Sequence, residues 1–199
     1  MIIEGLTTTT NADGTTNVAP MGPIVIGDFL RLQFRPFPGS LTYENLKRTR
    51  RGVFHVTDDV LLLVQAALDL PHSPPPLQPA MQVEGAVLKD CCRWYEFAVE
   101  SVVESGERPV MDARVVHTGR SRDFVGFNRA RHAVIEAAIA ASRLEWLGRE
   151  AVEQELARCR GLVEKTGDAA ELQAFDLVAA FVHKRAMTNR QQQLSDQSS

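Results

Sequence analysis

The 199-residue chain carries 22 Lys+Arg against 25 Asp+Glu, a formal net charge of −3, with 44% hydrophobic residues. That balance supports a packed core, in one compact domain with an appendage or in two small domains. It supplies neither a basic field for nucleic acid nor a polybasic membrane patch, no apolar run approaches a membrane span, and the opening Met1-Ile2-Ile3-Glu4-Gly5 has no signal-peptide pattern; a cytoplasmic protein is expected.

The first two thirds read as strands. Asn11-Ala12-Asp13-Gly14 is a hairpin turn between Ile2–Thr10 and Thr15–Ala19. The run Thr7–Thr10 is β-favouring. Leu30, Leu32 and Phe34 alternate with Arg31, Gln33 and Arg35, a half-buried strand with a polar second face. A short helix is expected near Thr42–Arg50, with Thr42 as its N-cap, and a second one, Val60–Leu68, follows Thr57-Asp58-Asp59. Pro71–Pro79 reads as a stiff surface connection, or as a ligand for a proline-binding module. Tyr95, Phe97 and Val99 alternate with Glu96, Ala98 and Glu100; Met111, Ala113 and Val115 form the next strand, beyond a turn at Ser105–Pro109.

From about Asn128 the period becomes helical. Ile135, Ala138, Ile139, Ser142 and Trp146 share one face; Val152, Leu156, Cys159 and Val163 a second; Leu172, Phe175, Val178, Ala179 and Val182 a third. Gly148 and Thr166-Gly167-Asp168 separate these segments. The expected class is α+β: an antiparallel barrel over 1–124, a three-helix segment over 125–190, and a polar, disordered tail over 191–199.

Nucleotide-binding glycine loops, His-Glu-x-x-His and Gly-x-Ser-x-Gly are absent. Three cysteines form no spaced framework and sit beside no basic cluster, so Cys91, Cys92 and Cys159 read as small hydrophobes without function. The five scattered histidines supply no metal site. Three segments carry polar chemistry. Thr16–Pro23 is a strand end made irregular by Pro20, Gly22 and Pro23. It is either a bulge or a place where free main-chain groups meet a flat heterocycle. Arg31, Gln33 and Arg35, continuing into Pro36–Tyr43 and a helix start, suit a phosphate monoester or merely face solvent. Lys47, Arg48, Arg50 and Arg51 suggest RNA or a solvated helix face; no aromatic platform accompanies them.

In this order the segments resemble a family. Ile3-Glu4, Asn17-Val18-Ala19-Pro20-Met21-Gly22, Thr42-Tyr43-Glu44-Asn45-Leu46, Val53-Phe54-His55-Val56-Thr57-Asp58-Asp59 and Trp94-Tyr95-Glu96 are similar to an uncharacterised archaeal and bacterial family of the flavin reductase-like, FMN-binding split-barrel superfamily. The resemblance covers roughly Met1–Arg122 and extends to the helical tail. It implies a six-stranded antiparallel barrel, a homodimer, and FMN near the subunit interface. It also implies that Asn17, Ala19, Pro20, Met21 and Gly22 line the isoalloxazine ring, with Arg35, Thr42 and Asn45 toward the ribityl and phosphate end. His55 departs from the Asn usual in related barrels, which puts either a titratable imidazole by the flavin or a satisfied buried residue in the strand. The expected function is that of an FMN-dependent oxidoreductase or flavin reductase-like protein of unknown substrate. The alternative is a non-enzymatic flavin carrier, or a cofactor-free module acting through its helical tail; no nucleic acid or membrane partner is expected.

Overall fold

The structure, a computed structural model, describes the backbone over residues 1–196 and side chains over 1–185 and 187. The chain divides into two compact units: Met1–Asp58 with Ser73–Val125, and Asp59–His72 with the chain from Gly126 on.

The first unit is an antiparallel barrel. Its strands are β1 (Gly5–Thr10), β2 (Thr16–Met21), β3 (Ile24–Ile26), β4 (Arg31–Phe34), β5 (Arg51–Val56), β6 (Leu77–Pro79), β7 (Ala86–Leu88), β8 (Arg93–Val103) and β9 (Val110–Arg120). Seven of them form one sheet in the order β2-β1-β5-β8-β9-β4-β3, and β6-β7 is a separate hairpin. β2 and β3 are one long strand bent at Gly22-Pro23. The β1–β2 register, Gly5 opposite Met21, continues unbroken to the Ile2–Ile24 bridge, with main-chain bonds from Ile3 to Pro23 and from Val25 to Met1. Counted that way, six strands close a circuit, as the resemblance implies. The bent strand gives its Thr16–Met21 half to β1 on one side and its Ile24–Ile26 half also to β4 on the other.

Alternation fills the barrel. Leu32, Phe34, Phe54, Phe97 and Met111 are fully buried and form one core with Tyr43 and Leu46 of α1 (Leu41–Thr49). Phe34 and Phe97 pack with ring centroids 4.6 Å apart and planes tilted by 34°. Gly52 is needed beneath them: a Cβ there would lie 2.7 Å from the Phe97 ring and 3.1 Å from the Thr8 carbonyl. The expected cap of α1 is corrected. Ser40, not Thr42, is the N-cap, its hydroxyl accepting the Tyr43 N–H at 3.2 Å. Thr42, two residues inside, is buried and free to bond elsewhere. Part of the proline-rich segment is also ordered: Leu77–Pro79 pairs with Ala86–Leu88, and the loop between them is held by the buried Glu96, whose carboxylate accepts the N–H groups of Met81, Gln82 and Val83 at 2.9, 2.6 and 3.1 Å.

The second unit contains α2 (Val60–Ala67), α3 (Arg129–Ser142), the short α4 (Leu144–Leu147), α5 (Arg149–Thr166) and α6 (Ala169–Asp196). It is therefore not a purely C-terminal three-helix segment: α2, from within the barrel's stretch of sequence, packs against α3 and α6. Val60, Val64, Phe175, Val178 and the α5 face Val152, Leu156, Cys159, Val163 share its core. The first helical face is shifted by a step. Small residues Ala130, Ala133, Ala137, Ala138 and Ala141, with Val134, are buried, whereas Ser142 is exposed and Trp146 is 71% exposed on α4. The alanine stripe lets neighbouring helices approach closely, and the larger Ile135 and Ile139 lie at its border. Leu172 likewise turns outward, at 40% exposure, and Ala174 takes the core position. Helix α6 runs to Asp196, across the first part of the segment read as a disordered tail from Gln191; residues 197–199 lie outside the described residues. No helix among the described residues is long and apolar enough to cross a membrane.

Candidate functional site: the bent strand and the start of α1

The bend creates an unpaired main-chain edge. Main-chain bonds join Asn11 to Thr15, Ile3 to Pro23 and Val25 to Met1 in one register, so the alternation of an antiparallel ladder turns Asn17, Ala19 and Met21 toward β1. Thr16, Val18, Pro20 and Gly22 then direct their main-chain groups away from it. β2 is the terminal strand of the sheet order, and pairing with β4 begins only at Ile24, so this edge takes no strand partner among the described residues. Pro20 occupies an outward position, where its missing N–H costs no ladder bond. Gly22 is close-packed on Glu4: a Cβ would lie 2.8 Å from a Glu4 carboxylate oxygen. The β3–β4 register, Ile24 opposite Gln33, sets Gly22 opposite Arg35 when carried two residues further. Pro36 then turns the chain toward α1, so Arg35 stands where the bent strand and β4 part.

At the other end of β2 the helix joins the strands through amides and hydroxyls. The Asn17 Nδ2 donates to the Thr9 and Thr42 hydroxyl oxygens, both at 3.1 Å. The buried Asn45 Nδ2 donates to Thr9 Oγ1 at 3.1 Å and to Asn11 Oδ1 at 2.7 Å, and Arg48 donates to Asn45 Oδ1 at 3.0 Å. Asn17, Thr42 and Asn45 are thus brought together. Arg35 is exposed and donates to the Gln33 Oε1 at 3.4 Å. Arg31 and Gln33 are committed across the sheet, to Glu100 at 2.7 Å and to Asp112 at 2.9 Å, so the polar face of β4 leaves Arg35 the least engaged of the three. Of the basic residues on and after α1, Lys47 pairs with Glu104 at 2.7 Å and Arg48 reaches the Thr10 carbonyl, which ties both to the protein surface.

Sequence reasoning missed Thr7, Thr9 and Asn11. The threonine run signalled strand, but its alternation also puts Thr7 and Thr9 on the face shared with Ala19 and Asn17. Thr7 is fully buried, and its hydroxyl has no hydrogen-bond partner. A buried hydroxyl left unpaired costs free energy, and this one lies on the strand position opposite Ala19, in the segment whose outer main-chain edge is also unpaired. A flat ring edged with carbonyl and N–H groups suits those features, so the residues present fit a flavin.

His55 lies on the opposite face from Phe54 and is fully buried. Its Nε2 accepts the Leu88 N–H at 3.1 Å, which leaves Nδ1 to donate to the Leu6 carbonyl at 3.1 Å. Burial pushes its pKa down to about 4, against the opposing bond to Leu6. It is a satisfied, neutral histidine. Among the described residues, no three His, Cys, Asp or Glu gather as metal ligands. Cys92 does meet a cation, the Arg122 Nη1 at 3.4 Å, but that guanidinium is held by Asp58 and Asp90, and burial raises the thiol's pKa.

A six-strand antiparallel circuit, opened at one bent strand and joined there to a short helix, defines a split barrel of the flavin reductase-like type. The chain belongs to the DUF447 family: its N-terminal domain model, "Protein of unknown function (DUF447) N-terminal domain", matches residues 3–122 and the companion DUF447 model matches 128–179. An FMN-bound protein from Methanosarcina mazei of the same family aligns over 90% of this chain and 94% of its own, with a TM-score of 0.80 and 25% identity. The styrene monooxygenase flavin reductase of Pseudomonas putida (TM-score 0.50, 18% identity, 61% of this chain and 82% of its own) shares the fold. So does an FMN-binding protein of Thermus thermophilus (0.51, 15%, 60% and 70%). No curated protein matches.

Proposed function

We propose that the chain is an FMN-binding flavoprotein and acts as a flavin-dependent oxidoreductase of the flavin reductase-like type. The observation that carries this reading is the unpaired edge Thr16–Gly22, in a chain that aligns over 90% of its length with an FMN-bound protein. The flavin would supply the hydride or electron transfer, and the chain binding, orientation and exclusion of water. Main-chain groups of Val18, Pro20 and Gly22 would meet the ring's polar edge. Asn17, Thr42 and Asn45 would order the strand–helix junction beside it, and Arg35 would offset the phosphate charge. The fully buried His55 and Glu96 of the barrel are saturated by main-chain bonds, so this reading gives neither of them a proton-transfer role.

The same reading includes a homodimer that closes the open edge. Met1, Ile2 and Ile26, at 84, 60 and 44% exposure on the paired Met1–Ile3 and β3 segments, supply apolar surface that a second copy would cover. Absorbance of the purified chain tests the flavin, and sedimentation tests the dimer. Flavin bands in the visible, and twice the 22.0 kDa chain mass, are expected. A colourless protein that takes up no FMN on reconstitution would overturn the first part, and a monomer at micromolar concentration the second.

A further inference from the structure

The Leu30 N–H donates to the Gly27 carbonyl at 3.1 Å, closing a turn before β4 that lies against the first residues of β8. Gly27, Asp28 and Phe29 all take left-handed backbone conformations, with φ of 61, 53 and 65°. For Gly27 this is easy and for an aspartate tolerable; for a bulky aromatic residue it is a strained choice of the kind that collects at ligand clamps. The strain has a visible product. It lays the Phe29 ring flat on Tyr95, with centroids 4.1 Å apart and planes 5° from parallel. Tyr95 is itself 5% exposed, so Phe29 forms the outer layer of an aromatic platform.

The platform is one wall of a groove of about 500 Å³ that Asp28, Arg93, His117 and Thr118 also line. Arg93 is exposed and has no ion pair among the described residues. Its guanidinium favours the Tyr95 phenolate and the Asp28 carboxylate opposes it, although burial dominates and raises that phenol's pKa. An aromatic surface, a guanidinium and a carboxylate therefore converge on one opening, and among the described residues the two charges form no ion pair with each other. We propose that this groove binds a flat aromatic molecule carrying both an acidic group and an N–H donor. The acid meets Arg93 in a charge-assisted fork, the donor meets Asp28, and the ring lies against Phe29. The site is separate from the edge Thr16–Gly22 and from the amide cluster at α1, and it does not depend on the chain binding FMN.

The test is calorimetric titration of the purified full-length chain with 3-aminobenzoate, with benzoate, aniline and cyclohexanecarboxylate as comparisons. 3-Aminobenzoate is expected to bind about tenfold tighter than each of the three, the worth of one charge-assisted bond or one ring contact. Arg93→Gln removes the preference for the acid, Asp28→Asn the preference for the amine, and Phe29→Leu the preference for the ring over cyclohexane. Arg31→Gln, on the outer face of β4, leaves all three preferences intact. Thermal melts of each variant report folding, and flavin absorbance of the same samples is read throughout. Equal affinity for all four probes, or equal losses in the Arg93 and Arg31 variants, overturns the proposal. So does release of flavin by the probe, which would make the groove part of the flavin site.

Discussion

Asn17 on β2 and Thr42 on α1 meet side chain to side chain, the Asn17 amide donating to the Thr42 hydroxyl at 3.1 Å across 25 residues of sequence. The bond exists because Ser40 takes the capping duty and leaves the Thr42 hydroxyl available. Thr42→Val keeps the shape and removes the acceptor, and a lowering of unfolding free energy by about 1 kcal/mol is expected. Asn45→Ala should cost more, roughly 1–3 kcal/mol, because it removes three bonds at once, those to the buried Thr9 hydroxyl and the half-buried Asn11 Oδ1 and the one accepted from Arg48. Urea unfolding of the two variants checks the order. A Thr42→Val protein less stable than Asn45→Ala would show that the cluster is centred elsewhere.

Arg35 and Arg31 lie on the same strand face but differ in commitment. Arg31 is bound to Glu100 at 2.7 Å, while Arg35, opposite Gly22 at the end of the β3–β4 register, meets Gln33 at the longer distance of 3.4 Å. Arg35→Ala should weaken FMN binding by roughly 1.5–3 kcal/mol and riboflavin binding much less, since the two ligands differ by the phosphate. Arg31→Ala should leave both unchanged. Titration of both flavins against both variants decides it: equal loss for FMN and riboflavin assigns Arg35 to the fold rather than to the phosphate.

The barrel was legible in the sequence because its strands alternate: Leu32 and Phe34, Tyr95, Phe97 and Val99, and Met111 and Ala113 face the core as their period demands, whereas Leu30, read on the same face, precedes β4 and is 69% exposed. Asn17, Thr42 and Asn45 were legible as a set only through the family resemblance. What sequence could not show is pairing at a distance. Glu96 reads as the polar side of an alternating strand, yet it is fully buried because a loop 13 to 15 residues upstream brings three N–H groups to it. The α3 face was misplaced for a related reason. Hydrophobicity favoured Ile135 and Ile139, but close helix packing favours alanine. The strained Asp28-Phe29 turn has no sequence signature, since positive φ is foreseen at glycine and not at phenylalanine.

The cysteines should prove inert. Burial pushes the Cys91 and Cys159 thiols up to about 11 and raises Cys92 as well, so few thiolates exist at neutral pH. Replacing all three with alanine should leave flavin content unchanged. A stability loss of about 1 kcal/mol is expected at Cys159, which is fully buried between α5 and its neighbours. Slow alkylation of the native chain by iodoacetamide at pH 7, accelerating only on unfolding, checks the premise. Rapid labelling, or loss of flavin in the triple variant, contradicts it.

His55 makes stability depend on pH in a window that can be named. Its folded pKa is about 4, against an ordinary value of 6.5, because burial between β1 and β7 penalises the cation and the Leu88 N–H occupies the lone pair a proton would take. The unfolded chain therefore binds a proton at His55 as pH falls below about 6.5, and the folded chain does so only near 4. The stability difference is fully present above 6.5, is lost progressively between 6.5 and 4, and is flat below. Its limit is 2.5 units at about 1.36 kcal/mol each, on the order of 3 kcal/mol. Glu96 acts in a lower window: burial raises its pKa, but its N–H donors together outweigh that and hold it below the ordinary 4.5, so its contribution disappears only at more acid pH. Unfolding free energies by urea at pH 8, 6 and 5 should fall in that order. In His55→Gln, a side chain without a proton to gain, the pH 8 value should drop by about 1–3 kcal/mol for the disturbed bonds to Leu6 and Leu88, while the fall between pH 8 and 5 flattens. A variant that keeps the full slope would place the titrating group elsewhere.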